Sequence, residues 1–188
     1  MISITRISRT LALTLVVGAL GLAPALAAKQ GEAKAPPAPA GGASPKPIGK
    51  SKDWAAYTMQ DNSRTVCFIV SEPRSKSLSD KKASRGDPFF LVTRWSAQQA
   101  LQPSLIMGFP QAQDKKVKIK IGSDNFEMFV QGDGAWMDSE DGDKKLTDAM
   151  RKGATMTVSG ESQHGAKSTD RYSLAGISDA LDKISDCK

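Results

Sequence analysis

The chain is poor in the residues that build most active sites. It has one histidine, His164, and two cysteines, Cys67 and Cys187, in 188 residues. A zinc site needs more His or Cys than that. Any Ser-His or Cys-His scheme would have to pass through His164. The pentapeptide Gly160-Glu161-Ser162-Gln163-His164 comes near the G-x-S-x-G nucleophile elbow, but His164 stands where the last glycine belongs. The segment also leads into a turn and a strand, whereas the elbow opens a helix. No phosphate-cradling G-x-x-x-x-G-K-[ST] loop occurs. A glycosidase needs only two carboxylates, and nothing singles out a pair. These gaps argue against an enzyme, a metal centre and a bound cofactor. Long apolar runs are missing as well: residues 11–22 are uncharged and largely apolar, but a membrane-spanning helix needs about 20 such residues.

That short run reads instead as the centre of an export leader. Arg6 and Arg9 precede it, Pro24 breaks it, and Ala25-Leu26-Ala27 supplies the small residues that a signal peptidase reads. No cysteine follows, which argues against lipid attachment. Residues 1–27 are therefore read as a signal peptide, with no transmembrane span in the mature chain. Residues 28–51 are mostly Ala, Pro, Lys and Gly. Such a composition cannot bury a core and reads as a disordered linker. The net charge of +6 is mostly outside the domain: six Lys or Arg against one acid precede residue 52, and 20 basic against 19 acidic residues follow. The basic balance is thus no argument for nucleic acid, which would need cations gathered on the folded part.

From residue 52 to 188 the pattern becomes that of a folded domain. Strands are read over 54–59, 65–71, 89–95, 104–109, 116–121, 126–130, 135–137, 155–159 and 169–174, from alternation or short β-branched runs between turn signals. The run Thr65-Val66-Cys67-Phe68-Ile69-Val70-Ser71 suits a strand buried on both faces. Residues 73–87 read as a long polar connection, and 96–102 as a helical turn. A helix is read over 144–152. A last helix is read with Ser178 as its cap and Cys187 on its apolar face beside Ala180. The fold class is mainly β: an antiparallel sandwich or barrel of about eight or nine strands with two short helices, the last at the C-terminus.

Two cysteines far apart in an exported chain point to one structural disulfide, Cys67 to Cys187, with two free thiols as the alternative. Residues 116–121, K-V-K-I-K-I, alternate strictly. Val117, Ile119 and Ile121 face one side and Lys116, Lys118 and Lys120 the other. The three lysines are a candidate polyanion-facing stripe. The plainer reading is that they keep a sheet surface or edge from sticking to other chains. Arg85-Gly86-Asp87 is a tripeptide that integrins read, or simply a charged turn. The acidic loop 138–143 lacks the glycine that a calcium loop needs at its sixth position, where Asp143 stands; it also sets acids before a helix.

The domain resembles the invasion-associated locus B family of secreted proteobacterial proteins. The resemblance lies in Asp53-Trp54, in Cys67 within its apolar strand, and in Pro103-Ser104 running to Gly108-Phe109. It is most specific in the last third: Gly153-Ala154-Thr155-Met156, Ser162-Gln163-His164-Gly165, and Thr169-Asp170-Arg171-Tyr172-Ser173-Leu174-Ala175-Gly176, then Ala180-Leu181 ahead of Cys187. Many members carry a further cysteine soon after the early tryptophan, where this chain has Tyr57 and Met59. The resemblance implies an exported, mostly β, non-enzymatic envelope protein, with host-cell entry as the role that named the family. It offers no catalytic residue to transfer. The expected function is a periplasmic or surface-associated binding protein for a protein or an envelope polymer, with membrane-surface association and no nucleic acid. A small-ligand carrier in a β-barrel is the alternative. A hydrolase would need Ser162, His164 and a carboxylate within hydrogen-bonding reach.

Overall fold

The computed structural model describes residues 44–61, 64–96 and 99–187. The leader and most of the linker lie outside the described residues, as does part of the helical turn read over 96–102. The strands in chain order are β1 Lys46–Ser51, β2 Trp54–Asp61, β3 Arg64–Ser71, β4 Ser75–Leu78, β5 Phe89–Arg94, β6 Gln102–Ile106, β7 Val117–Ile121, β8 Asp124–Gln131 and β9 Gly134–Trp136, then, after helix α1 Glu140–Lys152, β10 Thr155–Glu161 and β11 Lys167–Ser173. Helix α2 Ile177–Lys183 closes the fold. All strands pair antiparallel in one ladder of order β1-β2-β3-β5-β6-β9-β8-β7-β10-β11-β4. β8 joins two halves: Asp124–Met128 pairs with β7, and Phe129–Gln131 pairs with β9.

The two halves close over a shared core. Ile69, Phe90 and Leu105 from one half meet Ile119, Val158 and Tyr172 from the other. Phe90 stands edge-on to both Trp54 and Tyr172, at 6.5 and 5.9 Å. The Trp54 indole N–H donates to the Ser173 carbonyl at 3.0 Å, tying β2 to β11. Leu146, Ala149 and Met150 of α1 and Ile177, Ala180 and Leu181 of α2 face the same core. β3 is buried on both faces: Cys67 and Ile69 face this core, while Phe68 and Val70 join Ala55, Tyr57 and Phe89 in a smaller cluster on the opposite side.

Among the described residues there are eleven strands, more than the eight or nine expected, and the two extra ones, β1 and β4, are the edges of the ladder. Neither has an apolar face to announce it; both are short and mostly exposed. β1 corrects the linker boundary, because residues 46–51 pair with β2. Pro47 is tolerated at an edge, beside an irregularity in register between Pro47 and Gly49. β4 lies inside the stretch read as a plain connection and pairs with β11. Gln102 and Pro103, outside the strand read over 104–109, sit within β6.

The helix ends also differ from the expectation. α1 starts a turn earlier than 144, capped by Ser139, whose Oγ accepts from the Gly142 N–H at 3.2 Å. Its first turn carries Glu140, Asp141 and Asp143, the charge that a helix N-terminus favours. α2 is capped by Gly176 at φ 87°, not by Ser178. A side chain at Gly176 would collide with the Ser51 carbonyl. Cys187 lies beyond α2 and past the turn at 184–186, and is still buried. It joins Cys67 of β3 with Sγ–Sγ 2.09 Å and Cα–Cα 5.8 Å, across 120 residues of chain.

Candidate polyanion-binding face

β7 keeps the alternation of its sequence. Val117, Ile119 and Ile121 are buried, and Lys118 and Lys120 are exposed. Lys116 precedes the strand and is exposed on the same side, paired with Glu127 of β8 at 3.2 Å. β7 is not an edge: it lies between β8 and β10. Lys118 and Lys120 therefore do not protect unpaired strand backbone, and edge protection does not explain them.

The pairing register shows what surrounds them. Lys120 lies opposite Thr157 of β10, which lies opposite Arg171 of β11, which lies opposite Ser75 of β4. One row along, Lys118 is followed by Ser159, Thr169 and Ser77. Side chains in such a row share one face, so the outer surface here sets hydroxyls beside cations, with Glu127 of β8 opposite Lys118 and Glu161 of β10 opposite Lys167. Thr157 and Ser159 form a floor along β10. Lys118 and Lys120 stand on one bank, about 7 Å apart along the strand, and Arg171 stands on the other, two strand spacings or ~10 Å across. Lys167 extends that second bank, opposite Glu161. Among the described residues Lys118, Lys120, Lys167 and Arg171 have no ion pair. Phe129 is 43% exposed, two residues past Glu127 on β8, where the strand has left β7 and pairs with β9. It leans against Trp136 with ring centroids 6.0 Å apart.

The other motifs take up structural positions. Arg85 of the Arg85-Gly86-Asp87 tripeptide is inside the molecule, 6% exposed at its side chain. It forks onto the fully buried Asp170 of β11 with bonds of 2.8 and 2.5 Å, donates through Nε to the Met107 carbonyl at 2.7 Å, and lies 5.2 Å over the Phe109 ring. A receptor cannot reach it. This bridge fixes the long β4–β5 connection to the second half of the sheet. Beside it, burial and then the charge of Asp170 push the Tyr172 phenol far above its ordinary range, so it stays neutral.

Ser162 is also buried, and its Oγ accepts from the Ala166 N–H at 3.0 Å inside the turn between β10 and β11. Its backbone bridges to Gln111. His164 is exposed at the turn and meets the side chain of Gln163 at 3.1 Å. The Ser162 hydroxyl therefore braces a turn. In the acidic loop, Asp141 pairs with Lys145 at 2.7 Å, and Asp143 faces inward with Oδ1 unpartnered. Burial, with Glu140 nearby, pushes the Asp143 carboxyl up to about 6. The interior that a carrier would need open holds Trp54, Phe90, Met107, Met128, Met150, Met156 and Tyr172, all fully buried.

The profile of the family described as Invasion associated locus B (IalB) protein matches residues 54–185. The chain belongs to the invasion associated locus B family. The match spans β2 to α2 and so includes both banks of the hydroxyl-floored face, the Arg85–Asp170 bridge and Cys67. Sequence comparison with curated proteins finds no match. Among solved structures, the crystal structure of invasion associated protein B from Bartonella henselae is similar in fold, with TM-score 0.51 and 16% identity over 76% of this chain and 96% of that one.

Of the candidate face in this family member, Lys116, Lys118 and Lys120 were visible in the sequence, and Lys167, Arg171 and the hydroxyls of Thr157 and Ser159 were not. The local signal for β11 was present: Lys167, Thr169 and Arg171 alternate with Ser168, Asp170 and Tyr172. What was hidden is that β10 pairs with β7 across α1, which sets the two cationic strands on either side of it.

Proposed function

We propose that this invasion associated locus B protein is exported and works, without catalysis, as a binding protein whose contact surface is the outer face of β7, β10 and β11. The observation that carries this reading is the pair of cationic banks on an interior part of the sheet, where edge protection has no role. Export is supported by the leader-like composition of residues 1–27 and by a disulfide in a fold whose C-terminus it fastens. Among the described residues no helix is long and apolar enough to cross a membrane. The working place that fits is the periplasm or the outer surface, with attachment through the sheet face to an envelope or host-surface component.

The test is co-sedimentation of the purified protein with isolated bacterial envelopes at low and high salt. The wild-type protein should pellet with envelopes and be released by salt. A Lys118→Glu/Lys120→Glu/Arg171→Glu variant should stay in the supernatant while keeping its melting temperature. Equal pelleting of both proteins would refute the reading.

A further inference from the structure

We infer that the ligand of this face is an extended anionic polysaccharide, a sugar chain bearing sulfate or phosphate esters, laid along β10. The inference rests on the binding role proposed above and names its partner class. Four features of the face select it. Cations on both sides of β10, about 10 Å apart, suit a polymer with charged groups on both of its edges. Lys118 and Lys120 are compact point charges on flexible stems, which accept ester anions without a fixed geometry. Between the banks, Thr157 and Ser159 both donate and accept hydrogen bonds, as sugar hydroxyls do. Where β8 passes from β7 to β9, the exposed Phe129 ring beside Trp136 offers an apolar plate to the C–H face of a sugar.

The same features disfavour the other polyanions. Single-stranded nucleic acid is held by a succession of aromatic plates along the backbone track. Here the track between the banks is Thr157 and Ser159, and the aromatics sit at one end only. A duplex is read by an element that enters a groove, and this face is the side of paired strands, with no projecting helix or ribbon on it among the described residues. An anionic membrane would reward apolar side chains inserted beside the cations, and along β10 between the banks stand Thr157, Ser159 and, opposite Lys167, the acid Glu161.

The experiment is calorimetric titration of the full-length chain, expressed with its own leader, against dextran sulfate, phosphorylated dextran, neutral dextran and poly-dT. Dextran sulfate or phosphorylated dextran should bind, neutral dextran should not, and poly-dT should bind more weakly than the better charged dextran. The preferred ester then separates a sulfated source from a phosphorylated one. Lys120→Ser and Arg171→Ser should each weaken binding about five- to tenfold at 0.1 M salt and lower the salt slope by about one. Lys145→Ser, which removes an exposed cation on α1, should do neither. Three results would overturn the inference: no binding to either charged dextran, tighter binding to poly-dT, or equal losses from Lys145→Ser and Arg171→Ser. If the protein still pellets with envelopes through this face while both charged dextrans fail, the ligand class is wrong and the binding role stands. If the triple charge-reversal variant pellets as well as wild type, the binding role itself is wrong.

Discussion

Arg85→Ala should be among the most damaging single substitutions in this protein. Asp170 is 0% exposed and receives two N–H bonds from the guanidinium. Truncation leaves a buried carboxylate without its cation, strips the Met107 carbonyl of its donor and opens space over Phe109. Breaking a buried pair from one side costs about 3–5 kcal/mol, a fifth or more of the ~5–15 kcal/mol that holds a typical domain together. For a domain of this size that is a drop in melting temperature of roughly 10–15 °C. The cost belongs to the stranded charge, so replacing both partners should recover most of it. Arg85→Met/Asp170→Leu should lie within about 1–2 kcal/mol of wild type, because apolar replacement of a buried pair is often neutral. Urea denaturation of Arg85→Ala and of the cycle made by wild type, Arg85→Met, Asp170→Leu and Arg85→Met/Asp170→Leu measures this directly. A loss below about 1 kcal/mol for Arg85→Ala, or a double variant as weak as the sum of the singles, would refute the assignment of Arg85 to the interior.

Three further predictions follow from other parts of the fold. Asp143 has its folded pKa raised from 3.8 to about 6 by burial and by Glu140, so charging it costs stability as pH rises from about 4 to 6, and below 4 the cost vanishes. Asp143→Asn should therefore stabilise by about 1–2 kcal/mol at pH 7, after the loss of a favourable helix N-terminal charge, and not at pH 3; equal effects at both pH values would contradict it. Cys187→Ser should cost about 4–5 kcal/mol in the chain-entropy account, given the 120-residue separation, and adding reductant to wild type should lower the urea midpoint comparably. A wild-type midpoint indifferent to reductant would count against the disulfide as a clamp. Gly153→Ala should cost about 1–3 kcal/mol, because its Cβ would run into Ile121 Cγ2 and Leu174 Cδ1; a neutral result in thermal melts would show that the α1–β10 junction has room to spare.

The strands that bury an apolar face were legible, and those that do not were not. Residues 117–121 gave their register away by strict alternation, and β3 announced double burial through an unbroken apolar run. β1 and β4 exist because β2 and β11 offer them hydrogen-bonding edges, a property of the partner that leaves no mark on their own sequence. Arg85 and Asp170 are 85 residues apart, and each looks locally like a surface residue; only the crossing of the β4–β5 connection over β11 reveals the pair. Cys187 was assigned to α2 by helical periodicity, but the helix ends at Lys183. Half of the candidate face was visible because β7 alone carries it, and the rest depended on β10 pairing across an intervening helix.

The most direct test of the account is amide chemical-shift mapping of the isotopically labelled protein during titration with dextran sulfate. Shifts should concentrate on the outward residues Lys118, Lys120, Thr157, Ser159, Thr169 and Arg171, with the amides of α1 and the β4–β5 connection unmoved. Shifts confined to other surfaces, or spread evenly over every exposed lysine and arginine, would contradict it.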